Sequence, residues 1–152
     1  MSERALNERW DDVLADADAT VAEYRDQGWE AIGVHPGDVN PVADAGRLDV
    51  LLPGSEFDEV RDRMDAVDID TFRVYAAYQS GVGFRLVAAE DADSGFALCI
   101  PTYLADPDAE PLRRAAMEAG EFIIRLRPLD DRDVVELTLS DPEPFFDAEP
   151  AE

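Results

Sequence analysis

Acid outweighs base almost three to one in this chain. Thirty-six Asp and Glu residues stand against 13 basic ones, every basic residue is arginine, and lysine is absent. The formal charge of −23 over 152 residues opposes a compact state in dilute buffer, because like charges gathered on one surface repel. Yet 46% of the residues are hydrophobic and 9% aromatic, as in a globular domain and unlike a disordered acidic chain. Charge and folding are reconciled where salt is concentrated, since the screening length shrinks to about 3 Å in molar electrolyte. The expectation is one folded domain with a solvated acidic surface, adapted to high salt.

Two other uses of acidity compete with that reading, nucleic-acid mimicry and an acidic secretion-chaperone-like role. Mimicry concentrates carboxylates along one surface, so that they fill a basic partner's cleft. Here the acids are scattered through every predicted helix and loop, which favours the solvated surface. The same charge disfavours binding to nucleic acid or an anionic membrane. No apolar run approaches the roughly 18 residues of a membrane span. The polar start, Met1-Ser2-Glu3-Arg4, leads straight into a helical pattern and predicts no secretory leader. Cys99 is the single cysteine, which excludes an internal disulfide and fits a reducing cytoplasm.

Periodicity supplies the elements. Leu6, Trp10, Val13, Leu14, Ala17, Val21 and Tyr24 form one stripe of a helix over about 3–27, stopped at Gly28. Residues 29–46 read as a long connection, with a short extended piece around Ala31–Val34. Leu48–Leu52 is a buried strand, and Ser55-Glu56-Phe57-Asp58 opens a helix to about Ala66. Strands follow over 71–79, 83–89 and 96–102, the first two joined at Ser80-Gly81. Pro107 or Pro111 starts a third helix that Gly120 ends, and strands at 122–127 and 134–139 close the pattern. The predicted fold is α+β: a single domain over 1–140 with a mainly antiparallel sheet of about five to six strands. Its order is α-β-α-β-β-β-α-β-β, followed by an acidic tail over 141–152 whose Phe145 and Phe146 latch onto the core.

Few residues point to catalysis. One His and one Cys cannot build the usual zinc site, no phosphate loop or nucleophile elbow is present, and no cofactor or metal is expected. His35, with Asp38 three positions on, is the one candidate acid–base couple, although His35-Pro36-Gly37-Asp38 also reads as a simple turn. Cys99 sits in an apolar strand with nothing beside it in sequence to lower its thiol pKa. Arg73, Arg85, Arg125 and Arg127 occupy strand positions alternate to the apolar set. They are expected on one exposed sheet face with Tyr75 beside them. Such a face suits an acidic protein or an anionic small ligand, unless the arginines are consumed in an intramolecular ion-pair network.

The run Gly28-Trp29-Glu30, His35-Pro36-Gly37-Asp38, the strand Leu48–Leu52, Leu126-Arg127-Pro128-Leu129 and Asp141-Pro142-Glu143-Pro144-Phe145-Phe146 resemble a small family from extremely halophilic archaea. The resemblance covers most of the chain. It implies a cytoplasmic halophile protein, a domain of unknown function that carries no activity or catalytic residue to transfer. The element order is also similar to small acidic chaperone-like α+β folds, by topology alone. The expected role is a non-enzymatic interaction or regulatory domain. The alternative is a small-molecule sensor or enzyme whose pocket lies between the 29–46 loop and the sheet, with His35 as acid or base.

Overall fold

The apolar stripe from Leu6 to Tyr24 builds α1 (Glu3–Asp26), and its Val13, Ala17, Val21 and Tyr24 are buried. The computed structural model describes residues 3–130 and 132–146. After α1 come β1 (Glu30–Gly33), β2 (Asp38–Val42), a 3₁₀ turn (Ala43–Ala45), β3 (Arg47–Leu52) and α2 (Gly54–Met64). The hairpin strands β4 (Thr71–Gln79) and β5 (Val82–Asp91) lead to β6 (Phe96–Ala105), α3 (Asp106–Ala119), β7 (Phe122–Pro128), β8 (Val135–Leu139) and α4 (Glu143–Phe146). No helix among the described residues is long and apolar enough to cross a membrane.

The strands form two mixed sheets, ordered β1-β6-β5-β4 and β2-β3-β7-β8. In the first, β1 runs parallel to β6 and the β4–β5–β6 meander is antiparallel. In the second, β3 runs parallel to β7 between two antiparallel edge pairings. The α+β class therefore stands, with eight strands in two sheets where the periodicity shows five or six in one. The two additional strands lie in the 29–46 connection. Four residues pairing with β6, and a five-residue edge strand interrupted by Pro41, are too short to carry a readable alternation.

The central strands β5 and β6 of the first sheet are buried on both faces, which explains why they read as nearly unbroken apolar runs. On one face Ala17, Val21 and Tyr24 of α1 meet Leu86, Ala88 and Cys99. Glycine permits that approach at β1, since a Cβ on Gly33 would stand 2.9 Å from Val21 Cγ2. The other face shares the larger core with the second sheet. Val87, Leu98 and Ile100 join Leu48, Val50, Ile124 and Leu126, with Phe57 of α2 and Leu112 of α3. Phe145 and Phe146 of α4 are buried on Phe122, with ring centroids 4.6 and 5.1 Å away. Residues 147–152, the acidic end of the expected tail, lie outside the described residues.

The β4–β5 turn decides which side chains share a face. Ser80 and Gly81 both have positive φ, 49° and 83°, the geometry of a two-residue loop that matches strand twist. It sets Arg73 opposite Ala88 and Ala76 opposite Arg85, so odd positions of β4 share a face with even positions of β5.

Candidate functional site

A groove of about 450 Å³ opens between α1, β2 and β6. The first turns of α1 supply Leu6, Asn7 and Trp10, the segment after His35 supplies Pro36 and Gly37, and β6 supplies Tyr103. Trp10 meets Tyr103 edge to face, with centroids 5.2 Å apart and planes at 83°. The Tyr103 hydroxyl accepts from the Val39 N–H at 3.3 Å and donates to Asp38 Oδ1 at 3.2 Å. Burial and the Asp38 carboxylate push this phenol above its ordinary pKa, so it remains a donor at neutral pH. Asp108 of α3 stands at the mouth. The volume and apolar lining fall within the range of small-molecule sites, and Asn7, Tyr103 and Asp108 supply polar groups, of which Asp108 is charged.

A second, polar recess of about 300 Å³ lies between α1 and β4. Glu90, 6% exposed, accepts from the Tyr24 hydroxyl at 2.5 Å and from Arg73 Nε at 3.0 Å, both on Oε2. Burial first, and then the hydrogen bond to Glu90, raise the Tyr24 phenol well above its usual value. Tyr75 borders the recess and is 49% exposed.

His35 and Asp38 do not form a couple. The His35 ring lies between α1 and α2, with Nδ1 2.7 Å from Glu56 Oε2 and Nε2 3.1 Å from Asp18 Oδ1. Its backbone N–H donates to the other Glu56 oxygen at 2.7 Å. Asp38, on β2, instead takes the Tyr103 hydroxyl. The hydrogen bond to Glu56 is the main reason the imidazole pKa is raised, against a smaller opposing effect of burial. Cys99 is enclosed under α1, and burial pushes its thiol up to about 12.

The four strand arginines do not share one face. Arg73 projects on the α1 side of the first sheet, whereas Arg85 projects into the space between the sheets and is 3% exposed. Arg85 donates from Nε to the Phe145 carbonyl at 2.6 Å and stands over the Tyr78 and Phe145 rings. Burial lowers its pKa. Arg125 and Arg127 lie on the outer face of the second sheet, where Arg125 holds Glu136 at 2.6 Å. A common face would have required Phe72 and Phe84 to point the same way. The hairpin register, with apolar residues on both faces of the sheet, places them on opposite sides.

Asp70, Asp91 and Asp93 bring carboxylate oxygens within 4.8 Å of one another, a donor set of the kind hard cations use. Asp91 already accepts from the Asp68 N–H ahead of β4 and from the Ser94 hydroxyl in the β5–β6 turn, at 2.9 and 2.8 Å, and these hydrogen bonds account for its position. The groove residues Trp10 and Tyr103 went unmarked in the sequence. Trp10 belongs to the stripe that reads as core, and Tyr103 falls just past the strand boundary expected at 102.

No curated protein and no solved structure matches the chain. The sequence model of a family described as Family of unknown function (DUF7529) matches residues 1–147. With its long N-terminal helix, two four-stranded sheets and aromatic groove, the chain belongs to that family.

Proposed function

We propose that this is a non-enzymatic binding domain of a cytoplasm rich in salt, and that the groove between α1, β2 and β6 holds its ligand. The ligand is a small molecule with an apolar, ring-sized body and a positively charged group. One observation carries the reading: the groove joins the Trp10 and Tyr103 rings to the Asp108 carboxylate, with Asp38 bonded to the Tyr103 hydroxyl, and has no basic residue among its described lining. Aromatic faces and carboxylates both favour a cation, and the apolar floor rewards a hydrophobic body. A binding role without catalysis is supported by what occupies the reactive groups. Carboxylates engage both His35 nitrogens, and the Cys99 thiol is buried and protonated.

The anionic-ligand reading loses support because its arginines are dispersed over three surfaces. Origin in a halophilic archaeon is supported by the charge of −23 and by arginine in place of lysine. The single buried thiol is consistent with a reducing compartment.

The test uses Trp10 as reporter in a Trp29→Phe background, with phenethylammonium, phenethyl alcohol and phenylacetate as probes. The expected order of affinity is cation, then neutral, then anion. Asp108→Asn is expected to weaken the cation up to about fivefold at the lowest KCl concentration that keeps the fold intact, in line with about 1 kcal/mol for an exposed charge pair. Equal affinity for cation and anion, or no response of Trp10 to any probe, would overturn the reading.

A further inference from the structure

Each sheet ends in two edge strands, and three of the four are blunted against pairing with another chain. β1 is four residues long, and its Ala31 carbonyl already accepts from Arg25 Nη2 at 2.8 Å. β2 contains Pro41, which has no N–H to donate, and starts at Asp38. β8 is five residues long and carries Glu136. β4 is the longest of the four, and its one charge, Arg73, is paired with Glu90 of the neighbouring strand. It pairs with β5 along all nine residues without a bulge and contains neither proline nor acid.

The charge pattern isolates the same strand. Thr71 to Ala89 is 19 residues without Asp or Glu, in a chain that has 36 of them, and its only charges are Arg73 and Arg85. Among the described residues no hydrogen bond reaches the outward backbone groups of β4. Arg73, Tyr75 and Tyr78 are 57%, 49% and 42% exposed. Because α1 packs chiefly on β1 and β6, recesses open between it and β4 on that face, whereas α4 reaches β4 on the other.

We propose that β4 pairs antiparallel with β4 of a second copy of this chain, about a two-fold axis at Tyr75, to make one continuous eight-stranded sheet. Residues directly opposite in an antiparallel pair lie on the same face, so the axis must pass through a residue position. Only an axis at Tyr75 pairs the whole strand. Thr71 then faces Gln79, Phe72 faces Tyr78, Arg73 faces Ala77, and Tyr75 faces its own copy. The two Phe72–Tyr78 pairs are aromatic cross-strand contacts of the stabilising kind. The two Arg73 residues fall about 13 Å apart along the strands, beyond the screening length of about 10 Å at 0.1 M salt. A second copy is the fitting occupant because elsewhere two such bodies meet acid against acid, whereas the strand that forms this edge carries none. The acids beside it, Asp16, Glu23 and Glu90, line the recesses on its α1 side, with Glu90 paired to Arg73. One strand pair is smaller than the roughly 800 Å² per partner of a standard interface, so association depends on protein concentration and strengthens with salt. The inference is independent of the ligand groove.

Sedimentation equilibrium in molar KCl, over a wide range of protein concentration, is expected to show a monomer–dimer equilibrium. Tyr75→Asp is expected to weaken it at least tenfold while circular dichroism shows the fold intact, because the side chain is half exposed. Tyr75→Cys places two thiols at the axis, with Cβ atoms about 5 Å apart, and is expected to crosslink on oxidation. Arg73→Cys, about 13 Å from its mate, is expected to stay uncrosslinked. Buried Cys99 takes no part. A wild type that remains monomeric at every concentration overturns the proposal. So does a dimer indifferent to Tyr75→Asp, or one that crosslinks through position 73 and not 75.

Discussion

Arg85 Nε donates to the carbonyl oxygen of Phe145 at 2.6 Å, sixty residues along the chain, and its guanidinium stands 5.0 Å from the centre of that residue's ring. A charged side chain is thus buried among neutral oxygens and aromatic faces, and it ties the last described helix to the β4–β5 hairpin. The Phe145 ring fills space against Phe122, whereas Arg85 must be stripped of water to reach it.

These two contributions predict unequal losses. Phe145→Ala removes a fully buried ring and is expected to cost about 3–5 kcal/mol. Arg85→Met leaves the Phe145 carbonyl without its donor but also removes a buried charge, so the two effects oppose and the net cost is about 1–2 kcal/mol. Urea titrations at fixed molar KCl measure both. Equal losses would mean that the guanidinium, and not the ring, anchors the tail.

His35 makes stability depend on pH in a definite direction. Its partners Glu56 and Asp18 raise the folded-state pKa above the ordinary value of about 6.5. The stabilisation is therefore complete below that unfolded value and is lost as pH rises through the higher folded one. The ring is 45% exposed, so solvent screening holds the effect below about 1 kcal/mol. Urea midpoints should fall as pH rises above about 6.5, and His35→Gln should flatten that slope. An unchanged slope in the variant would assign the pH dependence to other groups.

What the sequence made legible was local. The α1 stripe and the β4–β5 and β7–β8 hairpins are written within windows that one element spans, so periodicity finds them. The two-sheet arrangement depends on pairings that no window contains. β1 finds its partner in β6, with Glu30 beside Phe96, and β3 lies on β7, with Arg47 beside Ile123. The arginine face failed for a related reason. Alternation tells which residues of a strand share a face but not which face, and the two-residue turn at Ser80-Gly81 reverses the phase from β4 to β5. Likewise Trp10 and Tyr103, the walls of the groove, come from α1 and β6, far apart in the chain, and carry no motif that links them.

The Tyr24–Glu90 hydrogen bond, 2.5 Å and buried, gives a spectroscopic prediction. The Tyr24 phenol is expected to ionise well above the value of free tyrosine, because burial and Glu90 both oppose a second negative charge. Glu90→Gln removes the neighbouring charge and should bring that ionisation down in an ultraviolet pH titration. Tyr24→Phe, which leaves Glu90 with Arg73 alone, is expected to cost about 1–2 kcal/mol. A titration curve identical in wild type and Glu90→Gln would show that Glu90 does not set the Tyr24 pKa.

Salt should govern the stability of the whole molecule. Local pairings such as Arg132 with Asp58 at 2.6 Å and Arg61 with Asp133 at 2.9 Å engage individual acids, yet 36 acids against 13 arginines leave a net charge of −23. Their repulsion acts on the compact state far more than on the expanded one, so screening stabilises the fold. The screening length falls from about 30 Å at 0.01 M to about 10 Å at 0.1 M and about 3 Å at 1 M. The thermal midpoint is therefore expected to climb steeply over the first decades of KCl concentration. It should keep rising more gently in molar salt if hydrophobic burial is also strengthened there. Replacing exposed Asp11, Asp12 and Glu23 of α1 by Asn and Gln should raise the midpoint in dilute KCl and leave it nearly unchanged in molar KCl. Calorimetry across the series separates the two phases. A midpoint indifferent to KCl, in wild type and variant alike, would show that the charge of −23 is not held in check by salt.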